Sequence, residues 1–154
     1  MPSDLTVFVD TNVLLYAQDP RNPDKQAAAA RWLQSCWHGQ HGSLSTQVLN
    51  ELYANLRRVA PGLLPEQARS VVRRYRGWQP WIVDDVTVDL AWALQDRFLI
   101  NYWDALMVAA AQQQGCAYLL SEDLQHEQRF DNVLVINPFK SSPSDLGLTA
   151  CLTV

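Results

Sequence analysis

The sequence predicts an α/β fold of three layers, with a short, mostly parallel central sheet and helices on both faces. Two observations carry this reading. The runs Leu5–Val9, Cys116–Leu120 and Val133–Ile136 are apolar but for Thr6 and do not alternate, the pattern of strands buried on both faces. Between them lie longer segments whose apolar residues recur every three or four positions, and strands alternating with helices require a parallel sheet covered on both sides.

Each element has a local reason. After the first strand and Asp10-Thr11-Asn12, Val13–Ala17 reads as a short helix ended by the turn signals Asp19-Pro20 and Asn22-Pro23. Pro23 opens a helix to about Trp37, with Ala29, Leu33, Cys36 and Trp37 as its apolar stripe. Gly42–Ser45 reads as a brief second strand, followed by Thr46 as the N-cap of a helix carrying Val48, Leu49, Leu52, Tyr53 and Leu56. A further helix is expected from Pro65 to Gly77, a short strand at Trp81–Val83, and a helix over Thr87–Leu99. Trp103–Gln114 is almost free of polar residues until its final turn, as in a helix buried on nearly all sides, and Gly115 ends it. A single domain over residues 1–140 is expected, with a loose tail at 141–154 that carries Ser-Ser-Pro-Ser.

Composition narrows the functional classes. Three widely spaced cysteines, Cys36, Cys116 and Cys151, without a Cys-x-x-Cys pair argue against a disulfide framework and structural zinc, so a reducing cytoplasm is expected. No basic region precedes the first apolar stretch, so no signal peptide is expected. The longest apolar run, Ala105–Ala111, is far short of the roughly 20 residues needed to cross a bilayer, so no membrane partner is expected. The net charge of -4 is unevenly spread: Arg57–Arg76 holds six arginines (Arg57, Arg58, Arg69, Arg73, Arg74, Arg76) and one acid, giving +5 there and -9 elsewhere. Such a basic band is the feature that a polyanion requires of an otherwise acidic chain, although an arginine stripe is more often simply a solvated face.

Four acids stand where a solvated acid is unusual. Asp10 and Asp123 each follow a buried strand, where ligands bind in open parallel sheets. Glu51 lies in the first turns of a helix entered from the second strand, and Asp104 begins the buried helix in line with Met107, Val108 and Ala111. Each alone is more simply a turn residue, a helix-dipole acid or a solvated side chain. Together at one sheet edge they repel one another unless a cation intervenes. Without nearby His or Cys ligands, that oxygen-only set favours Mg²⁺ or Mn²⁺ over zinc.

The motifs around these acids resemble the PIN-domain ribonucleases, and among them the VapC-like toxins of toxin–antitoxin pairs. The matching stretches are Val9-Asp10-Thr11-Asn12, Asn50-Glu51-Leu52, Tyr102-Trp103-Asp104-Ala105, Leu120-Ser121-Glu122-Asp123-Leu124-Gln125 and Val135-Ile136-Asn137-Pro138-Phe139, spread over about residues 5–139. Each is short, but their order at domain-wide spacing is specific. The resemblance implies a three-layer PIN-like fold and a metal-dependent endoribonuclease. Asp10, Glu51, Asp104 and Asp123 would be the catalytic quartet that binds Mg²⁺ or Mn²⁺. Thr11, Asn12 and Ser121 would orient its ligands and waters. Arg69, Arg73, Arg74 and Arg76 are the candidate RNA contacts. The implied partners are RNA, a cognate antitoxin and a second copy of the chain in a homodimer. Cleavage would leave 5′-phosphate and 3′-hydroxyl ends. Glu127 and Asp131 stand where similar toxins often carry glycine, which would add negative charge near the site.

Two rivals come from other classes. A Mg²⁺-dependent phospho-acceptor signalling domain also gathers acids at strand ends, but typically has adjacent acids after its first strand and a lysine ending its last. Here one acid follows the first strand, and Lys140 lies beyond Pro138. A non-cleaving PIN-like module that binds RNA or protein is the other, against which the four intact acids argue.

Overall fold

The computed structural model describes residues 5–148. Among them five strands, β1 (Val7–Val9), β2 (Gly42–Ser43), β3 (Tyr118–Leu120), β4 (Arg129–Phe130) and β5 (Val133–Ile136), form one sheet in the order β2-β1-β3-β5-β4. All neighbours are parallel except β4 and β5. The same residues form six α-helices: α1 (Thr11–Tyr16), α2 (Pro23–Gly39), α3 (Thr46–Val59), α4 (Pro65–Tyr75), α5 (Asp85–Phe98) and α6 (Tyr102–Gln113). This is the three-layer, mostly parallel α/β architecture expected from the alternation of apolar runs and helical stripes.

The core explains why. Every residue of β1 is fully buried, as are Leu119 and Leu120 of β3. Helix α6 is buried continuously from Ala105 to Ala111. Its four alanines and Val108 are small enough to let it sit close to β3 and β5, which it packs against, while α5 covers its outer side. Gly115 follows with φ +71, a conformation other residues adopt only with strain, and lets the chain turn sharply into β3.

Local differences from the sequence reading have local causes. Ser45, not Thr46, caps α3: its backbone is extended and its side chain accepts from the Val48 N–H, while the Thr46 hydroxyl accepts from the Val83 N–H at 3.2 Å. Trp81–Val83 contributes only a single bridge, between Ser45 and Trp81, because Thr46 takes the next N–H. Strand β4 is two residues long, too short to leave a periodic signal. Helix α5 starts at Asp85, ahead of the expected Thr87, because Asp84 caps it by accepting from the Thr87 N–H at 2.9 Å. Of the tail expected from residue 141, the described part lies against α2. The Trp32 indole donates to Pro138 O and Ser141 O, and the Ser35 hydroxyl donates to Leu148 O. Cys36 and Cys116 are buried free thiols, whereas Cys151 lies outside the described residues.

Candidate active site

Strand β1 pairs with β2 on one side and β3 on the other, so the chain leaves β1 at the point where the strand order reverses. A crevice opens there beyond the carboxyl ends of the strands. Register does the rest. Val9 pairs with Leu120, so the next residues, Asp10 and Ser121, emerge side by side. The Asp10 N–H donates to Leu120 O at 3.0 Å, and the Ser121 hydroxyl donates to Asp10 Oδ2 at 2.9 Å.

From this edge the other acids are placed. Asp10 is the N-cap of α1, and the first two residues of that helix reach across the crevice. Thr11 Oγ1 donates to Glu51 Oε1 at 2.7 Å, and Asn12 Nδ2 donates to Asp123 Oδ2 at 2.6 Å. Gln47, one turn before Glu51 on α3, donates to Glu51 Oε2 at 3.2 Å. Asp104 is fixed by Asn101, the N-cap of α6, which accepts from the Asp104 N–H at 2.9 Å and donates to Asp104 Oδ2 at 2.7 Å. Asp10, Glu51, Asp104 and Asp123 all line one pocket of about 330 Å³, together with Thr11, Asn12, Asn55, Arg58 and Trp103.

Electrostatically the pocket is under-compensated. Each acid is held by neutral donors, and among the described residues none of the four forms an ion pair. Burial pushes the Asp10 carboxyl up to about 7, an effect reinforced by Asp123 and Asp104 and opposed by the Ser121 hydrogen bond. Burial also raises the Asp104 carboxyl, with Asp123 and Glu51 adding to it against the Asn101 hydrogen bond. Glu122 behaves differently from its neighbour Asp123. It turns to α2, pairs with Lys25 and accepts from the Tyr16 hydroxyl at 2.8 Å, and its carboxyl is lowered despite partial burial.

The donor set suits a hard divalent cation: carboxylate oxygens, one of them strongly desolvated, and only Arg58 as a cationic side chain lining the pocket. The acids line a pocket rather than converge on a point. Among the described residues no three acidic, His or Cys side chains are gathered as a ready-made cage. A partial shell is what Mg²⁺ usually takes from protein, with waters and substrate phosphate completing it.

The PIN domain family model matches residues 7–131, most of the chain. The chain belongs to the PIN domain family. Two solved structures share the fold. VapBC2 from Rickettsia felis, bound to a DNA fragment from its promoter, is 16% identical with a TM-score of 0.59, covering 85% of this chain and 97% of that one. Mycobacterium tuberculosis VapC20, described as a sarcin–ricin loop cleaving toxin, is 19% identical with a TM-score of 0.56, covering 77% of this chain and 90% of that one. Among curated proteins no sequence matches significantly.

Within this PIN domain several residues take positions that the sequence did not disclose. Arg58, expected only as part of the basic band, follows Glu51 and Asn55 at helical spacing on α3 and lines the acidic pocket. Its i+7 spacing from Glu51 was the available signal. Asn101 and Gln47, which hold Asp104 and Glu51, were also missed; an Asn three residues before Asp104 was a readable N-cap. Arg69, Arg73 and Arg76 face a groove between α3 and α4, whereas Arg74 turns away and lies over the Trp37 ring at 5.2 Å. Glu127 and Asp131 have φ of 69° and 58°, the left-handed region glycine prefers. Neither lines the acidic pocket, and Asp131 pairs with Arg97 at 3.0 Å.

Proposed function

We propose that this PIN domain is a Mg²⁺- or Mn²⁺-dependent endoribonuclease, acting in the cytoplasm as the toxin of a toxin–antitoxin pair. The observation that carries the reading is the pocket of four carboxylates steadied only by neutral donors, with Asp10 desolvated enough to hold its proton near neutrality. A structural role would leave the buried Asp10 charge paired; a cation-binding role explains why, among the described residues, no ion pair serves it or the three more exposed acids beside it.

Asp10, Glu51, Asp104 and Asp123 would hold the ion. Thr11, Asn12 and Ser121 set the orientation of Glu51, Asp123 and Asp10 through the hydrogen bonds described. When bound, the ion supplies a water of lowered pKa and neutralises charge on the phosphate. A carboxylate at the pocket wall orients the attacking water and takes its proton, the role of a general base. Arg58 places positive charge where a phosphate would enter, offsetting repulsion between RNA and the acids.

The toxin assignment draws on the fold shared with VapC20 and VapBC2 and on the motif resemblance. An antitoxin would inhibit by bringing a basic side chain to the acidic pocket. The exposed apolar residues Ile82, Val86, Trp92, Leu99 and Trp103 offer surface for a homodimer or for that partner.

The deciding experiment incubates the purified chain with structured tRNA, rRNA and mRNA fragments, with Mg²⁺ or Mn²⁺ and with EDTA, beside Asp10→Asn. Cleavage that needs the metal and is lost in the variant is expected. Equal cleavage in EDTA, or full activity of the variant, refutes the mechanism. Absence of cleavage by the metal-loaded chain would instead indicate a non-cleaving binding module. Growth arrest on expression, relieved by a small partner encoded beside the chain, tests the toxin role.

A further inference from the structure

The three arginines that face the α3–α4 groove are not equally committed. Glu66 alone balances two of them, reaching Arg73 at 2.7 Å and Arg69 at 3.7 Å. Arg69 also donates to the Tyr53 hydroxyl at 3.2 Å, and Arg76 has no ion pair among the described residues. The groove of about 380 Å³ therefore carries an excess of positive charge above a floor that includes buried Leu49 and Val72. Tyr53 also lines the groove and is 41% exposed, which sets an exposed aromatic residue beside the charges.

This groove connects with the acidic pocket. Thr46 and Asn50 line both it and a depression that also holds Glu51 and Trp103, and Glu51 and Trp103 in turn line the acidic pocket. Along this strip two exposed aromatic rings, Tyr53 and Trp103, are flanked by arginines at one end and carboxylates at the other. Stacking platforms beside a positive groove are how single strands are held irrespective of sequence.

We propose that the α3–α4 groove is a nucleotide subsite for the single-stranded RNA flanking the scissile bond, with phosphate on Arg73 and Arg76 and a base against Tyr53 over the Leu49–Val72 floor. The subsite rests on the ribonuclease reading above. It divides the six arginines of the basic band among distinct roles. Arg69, Arg73 and Arg76 face the strand, Arg58 faces the acidic pocket, Arg74 covers Trp37, and Arg57 donates to Leu63 O.

The test uses the full chain carrying Asp10→Asn, so that bound RNA stays intact, and a fluorescent single-stranded oligoribonucleotide titrated across salt concentrations. Adding Arg73→Ala and Arg76→Ala should weaken binding about tenfold or more and flatten the log–log salt slope by about 1.4, near 0.7 per lost phosphate contact. Tyr53→Ala should weaken it roughly 5- to 100-fold with the slope unchanged, the signature of a lost stack, and Tyr53→Trp should restore it. Arg74→Ala, which removes the same charge from a guanidinium facing elsewhere, should change affinity by less than about twofold.

Unchanged affinity and slope in the double-arginine variant, while the otherwise wild-type chain still cleaves RNA with metal, overturn the subsite and leave the nuclease reading standing. A chain that neither cleaves nor binds RNA overturns both. If the double variant keeps its RNA affinity but loses a co-expressed protein partner, the groove is a protein-docking surface and the subsite is wrong.

Discussion

Replacing Asp10 by Asn should make the metal-free protein more stable above neutrality while removing its chemistry. Asp10 is 3% exposed, and its carboxyl sits at about 7 instead of 3.8. That difference corresponds to roughly 4 kcal/mol in favour of the protonated form. Because the folded value is raised, the native state keeps a proton between about pH 4 and 7 that the unfolded chain has released. Stability from this group is therefore fullest below pH 4, falls as pH rises through that window, and is lost above about 7. Asn carries no charge to desolvate. It forgoes one good hydrogen bond, since Ser121 and the Asn12 N–H both donate to Asp10, a loss of about 1 kcal/mol. The net gain of about 3 kcal/mol at pH 8 corresponds to a melting temperature raised by about 6–12 °C for a chain of this length. Thermal melts of both proteins in EDTA from pH 4 to 8.5 are the assay, with the gap widening as pH rises. Added Mg²⁺ or Mn²⁺ should then stabilise the wild type much more than the variant. A variant no more stable than wild type at pH 8 in EDTA, or a gap independent of pH, would refute the claim that an uncompensated buried charge defines this site.

Three further outcomes follow from the same geometry. Thr11→Val removes the 2.7 Å bond that fixes Glu51 and should weaken metal affinity about 10- to 100-fold with little change in the apo-protein melt, measured by Mn²⁺ titration. Arg58→Ala withdraws positive charge from the acidic pocket, so Mn²⁺ should bind more tightly while kcat/KM on RNA falls; equal changes of the same sign would contradict the role given to Arg58. Lys25→Met breaks the pair with Glu122 that ties α2 to the Asp123 loop. With both partners about one-third exposed, the loss of stability should stay within about 1 kcal/mol in denaturant titration, and a much larger loss would show the pair to be more than a surface tether.

Most of the fold was legible because its signals are short-range. Strands β1, β3 and β5 are buried on both faces and so read as unbroken apolar runs, and α6 is buried along its length and reads as a helix without a polar face. Antiparallel β4 was not legible, since two residues carry no period, and Thr46 looked like a cap because nothing in the sequence revealed that Val83 would claim its hydroxyl. Asp10, Asp104 and Asp123 were visible as acids at the ends of buried elements and Glu51 as one in the early turns of a helix entered from a strand, which brings them to the same edge whatever the details.

The sequence by itself determined the alternation of layers and the acids at the sheet's carboxyl edge, because both follow from periodicity and chain direction. Only the tertiary structure decided which polar group serves which acid. The parallel register of β1 and β3 sets Ser121 beside Asp10, and the entry of α1 carries Thr11 to Glu51 and Asn12 to Asp123. The same is true of the arginines. Neighbours in sequence on one helix, Arg73 and Arg74 face a groove and a tryptophan respectively, because successive helical positions are about 100° apart and packing decides what lies on each side.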